Sequence, residues 1–335
     1  MRRIVMLMPH FGRWPEWIDI YLETCRHNPT VDWIFFTDCG RPANRPANVR
    51  FVAMDFAAFL ERAARRLALD LPGHTVRKLC DFRPMFGVIF AEHLEGYDHF
   101  GFGDVDVVYG NLRKFLTAPL LDDHDVLSFH TGMLSGHFAL LRNCAPVKDL
   151  FRRLPAWRAQ LADRRHLRVD EDAFSTVLHA VRTRYTEAFS TPSLYRRWQD
   201  GSWNFPTAWY WRDGAVTNGR DGGEHLYFHF LFWKGDTNRR GWQHRDPARR
   251  IVHGRWDQAP LGWRIDAAGF HPLREWPEVW TTWQRWSRRV RERLTFERAR
   301  FRLKVWERLL PGRASRCPPG EAAGADPAVV QGRAR

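Results

Sequence analysis

Apolar residues open the chain in short unbroken runs, Ile-Val-Met-Leu-Met over 4–8 and Trp-Ile-Phe-Phe over 33–36. Runs of this length without polar alternation predict strands buried on both faces, as in a parallel sheet. A weaker strand is expected over 49–54. Between the runs the period changes. Trp17, Ile18, Tyr21, Leu22 and Cys25 fall at helical spacing within 15–26, and 56–69 is an Ala- and Arg-rich helical stretch. Strand, helix, strand in alternation is the pattern of an α/β sheet. Further helices are expected over 78–94, 147–151, 157–161 and from 169 through Val181, with a helical turn over 111–117. Further strands are expected over 100–102, 107–109, 125–129 and 137–141. Pro84 fits only a first helical turn, so the 78–94 helix proper is expected to begin near Arg83. The fold class that follows is α/β, a mixed sheet flanked by helices.

In such sheets ligands sit at the carboxyl ends of the strands. That places the break Pro9-His10-Phe11-Gly12, Asp38 and the pair Asp104/Asp106 on one rim. The pair lies in Phe-Gly-Phe-Gly-Asp-Val-Asp-Val-Val-Tyr, residues 100–109, directly after one aromatic strand and before a second apolar one. Val105 points the other way in an extended chain, so both aspartates face one point. Two carboxylates so placed can hold a hard divalent cation, Mg²⁺ or Mn²⁺, with positions left for phosphate oxygens. The bland alternative is a solvated turn.

Other stretches carry two readings each. Arg77, Lys78 and Arg83 cluster cationic charge at a helix start, either an anion site or a charged cap. Asp170, Glu171 and Asp172 open the next helix, where acids are also ordinary caps. Residues 196–212 are dense in Trp, Phe and Tyr, which suits a wall that stacks on sugar or a core. His225 and His229, four apart in Glu-His-Leu-Tyr-Phe-His-Phe-Leu-Phe-Trp-Lys, share one face whether the segment is helix or strand. A His amid aromatics also serves as a core residue.

The 335 residues allow one large domain with an addition. The formal charge of +14 favours an anionic partner, whether nucleotide, nucleic acid or anionic membrane. Five cysteines without a Cys-x-x-Cys pair point away from a disulfide framework and from a zinc knuckle. The opening residues hold too short an apolar run for a signal peptide, and no run approaches the roughly 20 residues of a membrane span. The expected compartment is the cytoplasm. Residues 286–310 carry nine Arg and Lys against three Glu, with Trp286, Val290, Leu294, Phe301, Val305 and Leu309 on one helical side, though Phe296, Leu303 and Leu310 break the pattern. Such a helix lies on the inner face of an anionic membrane or packs on its own domain. The expected division is a catalytic domain over 1–265, a basic helical extension over 266–311 and a disordered tail over 312–335.

Taken together, these landmarks resemble the GT-A-fold glycosyltransferases, whose fold is a Rossmann-like mixed sheet. The landmarks are the first strand with its Pro/Gly loop, a helix start with Asp81 and Arg83, the Asp-x-Asp, a Gly-led strand, the Asp-Glu-Asp helix start and a late His followed by Lys. The chain is most similar to a bacterial group with Lys-x-Cys-Asp-x-(Lys/Arg)-Pro ahead of the aspartates, and more distantly to lipopolysaccharide and capsule sugar transferases. The resemblance covers about residues 4–235. It implies that Asp104, Asp106 and His229 hold Mn²⁺ or Mg²⁺ against a diphosphate, and that Lys234 touches phosphate. The His-to-Lys spacing is shorter than in the retaining families and lacks their Gly. It further implies that Phe11, Gly12 and Asp38 line base and ribose, that Lys78, Asp81 and Arg83 meet the nucleotide sugar, and that Asp170, Glu171 and Asp172 lie beside the acceptor. The implied donor is a nucleotide sugar, a UDP-sugar first, and the acceptor a saccharide or a lipid-linked one, in cell-surface polysaccharide synthesis. A nucleotidyltransferase also pairs aspartates with Mg²⁺, but Pro9–Gly12 is a poor phosphate loop. A nucleic-acid binder fits the net charge, but the excess is mostly Arg toward the C-terminus and not spread among exposed aromatics.

Overall fold

The computed structural model describes residues 1–71, 73–130, 132–185, 208–219, 222–230, 255–259, 261–266 and 269–273. All of them lie in the first of two units of the chain, residues 1–274. Its main sheet is built from β1 (Ile4–His10), β2 (Val31–Thr37), β3 (Val49–Ala53) and β4 (His99–Gly103). It continues with β6 (Val126–Ser128), β7 (Phe138–Arg142) and β8 (Thr183–Tyr185), and β5 (Val107–Tyr109) follows β4 outside it. The order is β3-β2-β1-β4-β7-β6-β8. The first four run parallel. β7 is antiparallel to both β4 and β6, and β8 is parallel to β6. The expected mixed α/β sheet therefore forms, with a parallel half.

Its central strands β1, β2 and β4 are buried on both faces, which is why they read as apolar runs. Val5, Leu7, Ile34 and Phe36 pack on one side with Phe59, Ala63 and Leu67 of α2 (Phe56–Leu67). Ile4, Met6, Met8, Trp33 and Phe35 pack on the other with Ile18, Tyr21, Leu22 and Cys25 of α1 (Ile18–Arg26). Asp55 caps α2, accepting the Ala58 N–H at 2.7 Å.

A second sheet is formed by β9 (Trp209–Arg212), β10 (Ala215–Asn218), β11 (Glu224–His225), β13 (Trp263–Asp266) and β14 (Gly269–Pro272), in the order β11-β10-β9-β13-β14. β12 (Tyr227–His229) pairs separately with β5. Trp209 and Trp211 are buried in this second core, and Trp198, Trp203 and Phe205 lie outside the described residues. The β13–β14 hairpin runs across position 265. No helix of the described residues is long and apolar enough to cross a membrane. Residues 286–310 and 312–335 lie outside the described residues.

Three expectations change. The 78–94 helix is instead a 3-10 segment, Val76–Met85, a short helix, Phe86–Ile89, and a further 3-10 turn, Ala91–His93. Pro84 lies inside the first of these and cannot donate to a regular helix. A Cβ at Gly87 would come within 2.6 Å of the Phe100 ring, so the segment is pressed onto β4. The stretch after 169 is a wide π turn, Val169–Ala173, followed by a 3-10 segment, Phe174–Ala180. The segment from Glu224 is β-strand, and it breaks at Leu226, so His225 and His229 belong to different sheets and do not share a face.

Candidate metal centre

Strand order places the site. The chain adds β2 and then β3 on one side of β1, then returns to lay β4 on the other. Such a reversal leaves a crevice at the carboxyl edge, here between β1 and β4. Asp104 follows the last residue of β4, and its N–H donates to the His137 carbonyl at 3.0 Å. Asp106 precedes β5. Its carbonyl accepts the Phe230 N–H at 3.0 Å, and β12 pairs with β5 in the register His229–Val107. Backbone pairing thus brings His229, over 120 residues later in the chain, beside the aspartates.

Asp104, Asp106 and His229 offer ligand atoms that all lie within 4.8 Å of one another. His229 Nε2 is 3.4 Å from Asp106 Oδ2. That nitrogen is buried and makes no hydrogen bond among the described residues. The Asp104 side chain keeps 24% of its surface exposed, so the group opens outward there. Two carboxylates and an imidazole are a donor set suited to Mn²⁺ and acceptable to Mg²⁺. The residues present therefore fit a divalent ion.

His137, which starts the turn into β7, stacks on His229 with ring centroids 4.2 Å apart and 15° between planes. Its Nε2 is 2.6 Å from the Tyr227 hydroxyl. Burial, reinforced by His229, holds His137 well below its ordinary pKa, so it stacks as a neutral ring. In the sequence His137 reads only as the start of a strand. Its partner lies in β12, and one sequence does not reveal that strands meet.

Arg83 joins the centre to a second group. Its guanidinium pairs with Asp104 through Nη2 and with Asp170 through Nη1, the latter at 3.1 Å. Burial alone would lower the Arg83 pKa, but Asp104, Cys80 and Asp170 outweigh it and hold the group well above its ordinary value. Burial pushes the Asp170 carboxyl up to about 7 against the pull of Arg83. Gly136 allows this convergence. A Cβ there would lie 2.7 Å from Arg83 Nη1, 2.9 Å from Glu171 Oε1 and 3.0 Å from Asp170 Oδ2. The Ser-Gly pair before His137 reads in sequence as a turn, and only the close approach marks it as part of the site.

The remaining residues separate. Glu171 and Asp172 are bridged by Arg168 at 3.0 and 3.2 Å, with Glu171 the less exposed of the two. Lys78 and Asp81 are fully buried and 2.8 Å apart, with no surface to offer a ligand. Phe11 is buried against Phe56 and Phe59, so its side chain belongs to the core. Gly12 and exposed Asp38 do meet at the rim, the Gly12 N–H donating to Asp38 Oδ1 at 2.8 Å. They follow β1 and β2, so Asp38 lies two strands from β4, about 10 Å at ordinary spacing. His10 stacks face to face on Trp14 there, 4.9 Å between centroids. Lys234 lies outside the described residues.

A family model described as a family of unknown function (DUF6625) matches residues 6–251. No curated protein matches the sequence. Among solved structures the chain is similar to the galactosyltransferase LgtC in complex with donor and acceptor sugar analogs, at 11% identity. That likeness covers 54% of this chain and 72% of the other, with a TM-score of 0.32. It is also similar to the glycosyltransferase GlyE of Streptococcus pneumoniae TIGR4, at 12% identity over 61% of this chain and 50% of that one, TM-score 0.33. A third likeness is to the apo form of the bifunctional glycosyltransferase WbbM, at 14% identity over 55% and 38% of the two chains, TM-score 0.35. Overlap at this level assigns no activity.

Proposed function

The chain belongs to the family of unknown function DUF6625, and from the geometry of its site we propose that it is a metal-dependent glycosyltransferase of GT-A type. One observation carries this reading: Asp104, Asp106 and His229 converge to within 4.8 Å at the carboxyl edge where the strand order reverses. A nucleotide sugar can yield its sugar only if the negative charge developing on the diphosphate is neutralised. Asp104, Asp106 and His229 would hold Mn²⁺ or Mg²⁺, which supplies that neutralisation when bound.

The chain's own groups do the rest. Arg83, cationic and hydrogen-bonded to Asp104, orients that carboxylate. His137, neutral and stacked on His229, holds that ring with its Nε2 toward Asp106. Gly12 and Asp38 line the donor at the end of β1 and β2, a UDP-sugar being the first to test, and Lys234 is the cation assigned to its phosphate. Phe11 contributes to the core beneath that rim. Asp170 is committed to Arg83, so for an inverting reaction Glu171, with Asp172 beside it, is the carboxylate assigned to receive the acceptor proton. The acceptor is a saccharide or lipid-linked saccharide of cell-surface polysaccharide synthesis, and residues 286–310 supply peripheral contact with an anionic membrane.

The test is a thermal-shift panel of nucleotide sugars with and without Mn²⁺, followed by donor hydrolysis. A metal-dependent shift with one sugar nucleotide supports the proposal. Full turnover in EDTA, or no response to any sugar nucleotide, contradicts it.

A further inference from the structure

Lys78 and Asp81 form an ion pair with no exposed side-chain surface, 2.8 Å apart. A pair so buried loses the hydration of both charges, and other contacts must offset that loss. Nearly all of those contacts go to one stretch of backbone. Lys78 Nζ donates to the carbonyls of Gln160 at 2.7 Å and Arg165 at 2.9 Å. Asp81 accepts the N–H of Leu167 at 2.8 Å and of Val169 at 2.9 Å, one on each carboxylate oxygen.

The two amides flank Arg168, which sits at φ +55°, a left-handed conformation that a residue with a Cβ adopts at a cost. Alternation into that region turns neighbouring N–H groups toward one point and makes a cradle for an anion. Asp81 is the anion in this cradle. Directly beyond it the π turn Val169–Ala173 begins, and its second residue, Asp170, is only 2% exposed and reaches Arg83. The path therefore runs from Lys78–Asp81 through the Arg168 kink to Asp170, then through Arg83 to Asp104.

We infer that Lys78 and Asp81 are positioning residues: they lock the 165–169 backbone and thereby set Asp170 against Arg83 at the edge of the metal centre. They touch neither donor nor ion. Only the activity arm of this inference rests on the proposed transferase reading.

The test uses the full chain with Lys78→Met and Asp81→Leu together, an apolar exchange of similar volume that removes both buried charges at once. Hydrogen exchange at the Leu167 and Val169 amides, and at the amides of 170–173, is expected to rise tenfold or more. Donor turnover is expected to fall tenfold or more with Mn²⁺ affinity unchanged, because Asp104, Asp106 and His229 keep their places. Wild-type exchange in the variant overturns the inference, and so does faster exchange with unchanged turnover, which makes the pair merely structural. If the double variant does not fold, Asp81→Asn is judged by the same readouts. If the wild type turns over no sugar nucleotide, the proposed activity fails, and the positioning role is decided by the Arg83 guanidinium NMR signals, which shift in the variant if Asp170 has left Arg83 and stay in place if the pair is merely structural.

Discussion

Asp104, Asp106 and His229 make one group, and Asp81, His166 and Asp170 make another. Each is two carboxylates and an imidazole whose ligand atoms lie within 4.8 Å of one another. By composition both could hold a cation. What separates them is how much charge already sits beside them: Arg83 pairs with one carboxylate of each group, and the second group has the buried Lys78 as well. Asp81 has the Lys78 ammonium at 2.8 Å and two backbone N–H groups, and Asp170 has the Arg83 guanidinium. A metal ion placed there would meet two fixed cations with little water to screen them. At the first group Arg83 reaches Asp104, a carboxylate partly exposed to water, and His229 Nε2 makes no hydrogen bond among the described residues. Donor geometry nominates a metal site, and prior neutralisation disqualifies it. The second group is scaffold by that criterion, the first a candidate centre.

The contrast breaks most visibly in stability. Lys78→Met leaves Asp81 buried and unpaired, a change that costs about 3–5 kcal/mol in comparable pairs. Asp104→Asn, at the open group, weakens one of the two carboxylate contacts of Arg83 and leaves Asp170 in place, so it should cost less, about 1.5 kcal/mol, the worth of one hydrogen bond between charged groups. Urea unfolding of the two variants checks this, and equal losses would erase the distinction. Gly136→Ala comes next. It forces a methyl against Arg83, Asp170 and Glu171, and overpacking of this kind costs about 1–3 kcal/mol. Because the clash falls where the two groups join, donor turnover should fall as well, which a melt and an activity assay on the same sample would show.

The smaller effect is a pH slope. The Asp170 carboxyl, pushed up to about 7 by burial, has a folded pKa above its ordinary 3.8. The unfolded chain therefore loses this proton first as pH rises. Stability from this group is full below about pH 4 and declines as pH climbs toward 7, by at most about 1.4 kcal/mol per pH unit. Asp170→Asn should flatten that slope in denaturant titrations from pH 4 to 7. An unchanged slope would mean that Arg83 holds Asp170 ionised throughout.

The parallel half of the sheet was legible because buried strands leave unbroken apolar runs, and 4–8, 33–36 and 49–54 each became a strand. The rim was legible too, since parallel strands put their carboxyl ends together. What failed to show was anything set by distant pairing. Helical spacing over 78–94 concealed a segment that Pro84 and the press of Gly87 on Phe100 break into short turns. Lys78 and Asp81 read as ligand-facing because a charged pair near a helix start is usually exposed. Their burial depends on the 160–169 loop, whose path no local pattern announces. His137 and Gly136 escaped for the same reason: each matters through a neighbour some 35 to 90 residues away.

The central claim is that Asp104, Asp106 and His229 hold a divalent ion for a nucleotide diphosphate. Titrating Mn²⁺ into the full chain with a UDP-sugar, followed by the spectroscopic signal of free Mn²⁺, tests it most directly. Saturable Mn²⁺ binding is expected, and Asp106→Ala should weaken it by more than about 100-fold. His229→Ala should weaken it by about 10–100-fold, as losses of supporting groups do around metal sites. Lys78→Met with Asp81→Leu should leave it unchanged. Equal Mn²⁺ affinity in the wild type and in Asp106→Ala would contradict the account.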